Sequence, residues 1–150
     1  MATAEDAKLI LQLYEMRRED VMRKARGFFT GPDFMPISAQ EIMDMVMTDP
    51  QKSAWYRQTT SYWDMAASLV NHGTIDTSLF YDTNGEFFAI WAKIGEFVPE
   101  LRAMFGPQYL QNLEKLVGAH PNGAMRIGML KERFKKMAAI KQEREDDIPF

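Results

Sequence analysis

Apolar residues recur along this chain at spacings of three and four, and no stretch alternates apolar with polar. Spacings of three and four line one face of an α-helix, whereas alternation would mark a half-buried strand. The pattern predicts an all-α protein, a single-domain bundle of about six helices joined by short loops. Residues 4–28 read as the first helix, with Thr3 as cap and Glu5 and Asp6 suiting the positive helix end. Leu9, Leu13 and Met16 share its apolar face, which Ile10, Tyr14 and Val21 widen. Gly27, Phe28 and Phe29, followed by Gly31-Pro32, end it.

A second helix starts at Ser38, where Ser38 and Glu41 have the spacing of a capping box. Asp49-Pro50 then marks a new start, and Gly73 supplies a closing residue, so a third helix spans about Gln51 to His72. Trp55, Tyr62, Met65, Ala66 and Leu69 fall on one arc of it and are its expected core face. A short turn of helix follows Asp76. Phe87, Trp91, Ile94, Val98 and Leu101 carry helical periodicity straight through Pro99. Proline lacks a donor and clashes one turn back, so this helix should kink or break between Gly95 and Val98. Gly106-Pro107 opens a further helix, through Tyr109, Leu113 and Val117, that Gly118 closes. The last helix runs from about Ala124 to Glu145, and the charged stretch 145–150 should fray.

The chain has 150 residues, which fits one domain, 1–150, large enough to fold around its own core. Cysteine is absent, which removes disulfides, thiolate chemistry and cysteine-based metal sites. The start MATAEDAK lacks a basic-then-apolar leader, and no stretch approaches the ~18 apolar residues of a membrane span. The expected setting is the cytoplasm, with no membrane partner. Net charge is −3, and the basic clusters Arg17, Arg18, Arg23, Lys24, Arg26 and Lys131, Arg133, Lys135, Lys136, Lys141 are interleaved with acids. They read as solvated helix faces, and no nucleic-acid partner is expected.

The candidate chemistry lies on one stripe of the third helix: Arg57, Ser61, Asp64, Ser68 and Asn71. Ser61, Asp64 and Ser68 sit at i, i+3 and i+7, so they share a face, with Arg57 and Asn71 a turn outward on each side. A carboxylate between two hydroxyls and an arginine could orient a polar group of a ligand. Desolvated beside Trp63, it could instead act as a general acid. The same stripe is also what the solvent edge of an amphipathic helix looks like. The hydroxyls, amide and guanidinium favour an anchor or surface role for Asp64 over a catalytic one.

Other constellations are missing from the sequence. The residues three before His72 and His120 are Leu69 and Val117, so the Glu-x-x-His metal motif fails. No phosphate-cradling glycine loop and no Gly-x-Ser-x-Gly elbow occur. No catalytic residue, metal or cofactor is expected. His72 reads as a helix C-terminal cap. Phe28 and Phe29, after the first basic cluster, read as core packing rather than base-stacking platforms. Met35, Met43, Met45 and Met47 read as gap-filling core, with an adaptable binding groove as the other use of such a cluster.

Across residues 61–117 the chain resembles a bacterial all-helical family of unknown function. The residues that carry the resemblance are Tyr62, Trp63, Asp64, Gly73, Ile75, Asp76, Trp91, Gly106, Pro107 and Tyr109. Asp64 stands where that pattern carries Glu. The resemblance implies helices and brings no activity and no catalytic residue.

The expected role is an interaction or scaffold protein that self-associates as a dimer through an apolar helix face. Its basis is the surplus of Trp, Phe and Met and the lack of a catalytic constellation. The alternatives are a sensor binding an apolar small molecule between helices, anchored by Asp64, and an enzyme of unrecognised type.

Overall fold

A computed structural model describes residues 1–148, and among them the chain is all-helical. The helices are α1 (Ala4–Arg17), α2 (Asp20–Thr30), α3 (Ala39–Thr48), α4 (Pro50–Asn71), α5 (Thr77–Thr83), α6 (Glu86–Ile94), α7 (Val98–Phe105), α8 (Gln111–Ala119) and α9 (Gly123–Asp146). One 3-10 turn, Gly95–Phe97, joins α6 to α7. Among the described residues no helix is long and apolar enough to cross a membrane. The helices outnumber the six expected because two of the predicted segments are each divided and the short turn after Asp76 is a helix of its own, α5.

The first division separates α1 from α2. Thr3 caps α1 as expected, and Asp6 returns the bond by accepting from the Thr3 amide. The helix then stops at Arg17, and Glu19 caps a new one by accepting from the Met22 amide at 3.0 Å. Arg26 of α2 donates to the Arg17 carbonyl at 2.9 Å, which satisfies an orphan group at the end of α1. The corner re-aims the apolar positions. Ile10 and Leu13 enter the core from α1, and Ala25, Phe28 and Phe29 enter it from α2. Tyr14, Met16 and Val21, expected on the apolar face, are exposed.

The second division is the one Pro99 demanded. The α-helix ends at Ile94, tightens through the 3-10 turn, and resumes with Pro99 in the first turn of α7, where a missing N–H leaves no bond unmade. Gly95 is required there, since a Cβ would lie 2.6 Å from the Trp91 ring.

Ser38 accepts from the Glu41 amide at 3.1 Å to start α3. Glu41 reaches back one residue further than a capping box requires, accepting from the Ile37 amide at 3.0 Å. Asp49 caps α4 through the Lys52 amide at 3.0 Å, with Pro50 as first residue. Gly73, at φ 79°, closes it. The stretch from Gly106 to Leu110 is a turn rather than the start of a helix, and α8 begins at Gln111 and runs past Gly118 to Ala119. The last helix ends at Asp146, within a residue of the expected Glu145, and Pro149 and Phe150 of the expected frayed tail lie outside the described residues.

Helix α4 is the axis of the fold and packs against α2, α3, α5 and α8. Helix α6 forms a second axis and packs against α2, α8 and α9. The face that α4 buries matches the expected arc only in part. Of the expected five, Tyr62 and Ala66 are buried, Trp55 and Leu69 are half-buried and Met65 is 41% exposed, while Ser53, Tyr56, Thr59, Thr60, Trp63, Ala67 and Val70 complete the buried face. The core face is rotated by roughly one residue step, about 100°, from the arc through Leu69. It accepts Thr59 and Thr60, and Thr60 satisfies its hydroxyl on the Tyr56 carbonyl at 3.0 Å. Phe28 and Phe29 pack with Phe34, Trp55 and Tyr56 in an aromatic cluster, so both are core residues as expected. Met43 and Met45 pack against the core, and Met47 is exposed.

Candidate functional site

The five stripe residues separate into three environments. Arg57 and Ser61 are exposed and make hydrogen bonds within α4 itself: Arg57 Nε lies 3.4 Å from the Ser53 carbonyl, and Ser61 Oγ donates to the Arg57 carbonyl at 2.6 Å. Ser68 Oγ lies 3.4 Å from His72 Nδ1, and that nitrogen lies 2.9 Å from the Ser68 carbonyl, so the histidine caps the end of α4.

Asp64 and Asn71 reach across to α8. Asp64 Oδ1 accepts from the Leu113 amide at 3.0 Å and Oδ2 from Asn112 Nδ2 at 3.2 Å. Asn71 Nδ2 donates to the Asn112 carbonyl at 2.9 Å. The first turn of α8 needs this help. Its N-cap position is Leu110, held at φ 56° with no side-chain acceptor of its own. Asp64 supplies from another helix what a local Ser or Asp normally supplies, and its charge suits the positive helix end.

Arg57, Ser61 and Asp64 also line an open cleft of about 600 Å³ between α4 and the turn before α8, together with Phe105, Gln108 and Tyr109. The Tyr109 and Tyr56 hydroxyls lie 2.7 Å apart. Burial raises both, Tyr56 well above the usual 10 and Tyr109 to about 12, so both are neutral at physiological pH. The cleft therefore offers a guanidinium, hydroxyls and a carboxylate already committed to α8. That set can orient a polar ligand.

Two arrangements escaped the sequence reading. The first centres on Glu86, at the start of α6. It accepts from Arg26 Nε at 2.7 Å and Nη2 at 3.1 Å, and from Trp63 Nε1 at 3.0 Å. Arg17 donates to the Tyr62 hydroxyl at 3.1 Å, and its guanidinium stands 5.3 Å from the Trp63 ring centroid. Arg17 and Arg26 are thus half-buried, not part of a solvated face. The contact joins residues 60 positions apart, and no local spacing announces it.

The second is Lys93, only 5% exposed. Its ammonium donates to the Gly31 carbonyl at 2.8 Å and to the Phe34 carbonyl, and stands 4.5 Å from the Phe134 ring centroid. Burial lowers it from the usual 10.5 to about 8. A signal existed: Lys93 is the only charge in the otherwise apolar run Phe87–Ile94. Among the described residues no group of three or more His, Asp or Glu side chains is placed to hold a metal ion.

Taken together, these features define an all-helical domain whose inward polar side chains chiefly join one helix to another. The chain belongs to the family described as a domain of unknown function, DUF4760, whose family model matches residues 2–119. The match covers α1 to α8 and is wider than the stretch that carried the resemblance, while α9 lies beyond it. Comparison with curated proteins and with solved structures gives no match.

Two outcomes follow from this geometry. Asp64→Ala should destabilise the fold by about 1–2 kcal/mol, as loss of an N-cap does. Amide hydrogen exchange at Leu113 should rise more than at the centre of α4, and unchanged exchange at Leu113 would rule the capping role out. Lys93 makes a distinct pH signature. Below about pH 8 both folded and unfolded chains hold its proton, and the cost of charging a buried amine is fully present. Between about 8 and 10.5 the unfolded chain binds the proton that the folded one sheds, so stability rises with pH through that window. In denaturant melts the wild type should gain on Lys93→Met by on the order of 1–3 kcal/mol from pH 7 to pH 10.5.

Proposed function

We propose that this chain is a cytoplasmic interaction module that associates with a second copy of itself, and that it performs no catalytic step. The observation that carries the reading is an apolar groove between α1 and α4, about 870 Å³ in volume, walled by Leu9, Leu11, Leu13, Met16, Met65 and Leu69. Leu11 is 63% and Met16 50% exposed. An α1 helix that stops at a corner turns one apolar pair, Ile10 and Leu13, inward and leaves Leu11 and Met16 outward. Contiguous apolar surface of this kind is the usual mark of a protein contact. A two-fold arrangement would seat the α1 of each copy against the groove of the other, and Glu5, Lys8 and Glu15 on the groove wall would form its polar rim. The cysteine-free composition is in keeping with a reducing cytoplasm.

A second reading, a binder of small molecules, draws support from the cleft lined by Arg57, Ser61, Asp64 and Tyr109. In that reading Asp64 anchors a polar group of the ligand through whatever lone pairs α8 leaves free.

Sedimentation equilibrium distinguishes the two. The wild type should exceed 17.3 kDa in average mass at tens of micromolar, and Leu11→Glu with Met65→Glu should return it to the monomer mass. A purely monomeric wild type at that concentration would overturn the self-association reading and leave the cleft reading standing.

A further inference from the structure

The space beside Lys93 has the makings of a binding site. Helix α9 lies across α6, and an open pocket of about 380 Å³ lies between them. Its walls are largely apolar: Met35 and Pro36 from the loop before α3, Phe97 from the 3-10 turn, and Phe134 and Ala138 from α9. Three lysines line it, Lys93, Lys131 and Lys135, against one acid, Glu96. Helix α9 carries further cations nearby, Arg133 and Lys136, in a chain whose net charge is −3.

The three lysines are not equally committed. Lys135 pairs with Glu132 at 3.2 Å on the surface. Lys131 and Lys93 form no ion pair among the described residues. Lys93 is the unusual one, because a nearly buried ammonium normally finds a carboxylate. Here the ammonium donates to the main-chain carbonyls of Gly31 and Phe34, and its third N–H has no hydrogen-bond acceptor among the described residues, only the Phe134 ring 4.5 Å away. The carbonyls hold the side chain in place without neutralising its charge. Pocket and ammonium together lack one component, an anion with an apolar body.

We propose that this pocket binds a small apolar carboxylate, an acid with a single ring or a short alkyl chain. Its hydrocarbon part lies against Phe97, Phe134 and Ala138. Its carboxylate accepts from the free Lys93 donor, with Lys131 and Lys135 at the mouth. The volume sets the size class, since it stands at the lower end of the roughly 300–1,000 Å³ of ligand pockets. Phe97 and Phe134 give the body of the ligand an aromatic wall to lie against. The proposal is independent of self-association, because the α1–α4 groove shares no lining residue with this pocket.

The test uses 4-phenylbutyrate and its neutral counterpart 4-phenylbutanol as probes, titrated into the full chain and followed by backbone amide shifts. The acid should give saturable shifts confined to residues 92–97 and 131–138. The alcohol should bind about five-fold more weakly, the effect of one partly desolvated ion pair. Ala138→Trp should abolish both, and Lys93→Met should remove the preference for the acid. Should Lys93→Met fail to fold, Lys131→Ala with Lys135→Ala should still narrow the difference between the probes. Absence of saturable shifts at these amides, or equal affinity for acid and alcohol in the wild type, would overturn the proposal.

Discussion

One carboxylate, Glu86, holds the two axes of this fold against each other. It stands at the first turn of α6 and takes two hydrogen bonds from Arg26 of α2 and one from Trp63 of α4. The remaining arm of Arg26 holds the Arg17 carbonyl, and so fixes the corner between α1 and α2. Four helices therefore meet at one ion pair, with both side chains 23% exposed. Two charges at that depth have lost much of their hydration, and removing either strands the other. A fully buried pair broken in that way costs roughly 3–5 kcal/mol, and the remaining solvent contact reduces the figure here. The bidentate geometry also fixes the relative angle of α2 and α6, which apolar packing alone specifies loosely.

The same economy runs through the other joints. Helix α8 has no cap of its own and takes one from Asp64. The Asp76 amide, at the start of α5, donates to Asp6 of α1 at 3.3 Å. The loop after α2 is pinned by Lys93 from α6. Tyr81 of α5 donates to the Leu116 carbonyl of α8 at 2.6 Å. Each satisfies a main-chain group that would otherwise be orphaned near the core. The surface carries, among other hollows, an apolar groove at α1 and α4, a polar cleft beside Tyr109 and an apolar pocket lined by lysines beneath α9.

Local chemistry was legible in the sequence wherever it acts within a few residues. Thr3, Ser38, Asp49-Pro50, Asp76 and Gly73 each announced a helix end, and Pro99 announced a break. The corner at Arg18 and Glu19 was not legible, because it contains no glycine or proline and glutamate is not among the favoured N-caps. The core face of α4 was misplaced for a related reason. Trp55, Met65 and Leu69 look like core on hydropathy, yet neighbouring helices cover the side bearing Thr59 and Thr60, where small or self-bonded polar residues allow close approach. The stripe was recognisable as a stripe, but its division between solvent, His72 and α8 depends on where α8 lies. The Arg26–Glu86 pair was beyond reach, since nothing within either segment refers to the other.

The claim on which this account rests most is that the Arg26–Glu86 pair couples α2 to α6. A double-mutant cycle with Arg26→Met, Glu86→Gln and the combined variant, read by urea melts at low salt, measures it directly. The account predicts that the two changes are not additive, with a coupling energy of at least about 1 kcal/mol and a double variant little worse than either single one. Additivity within about 0.3 kcal/mol would contradict it, and would mean that packing alone sets the angle between the helices.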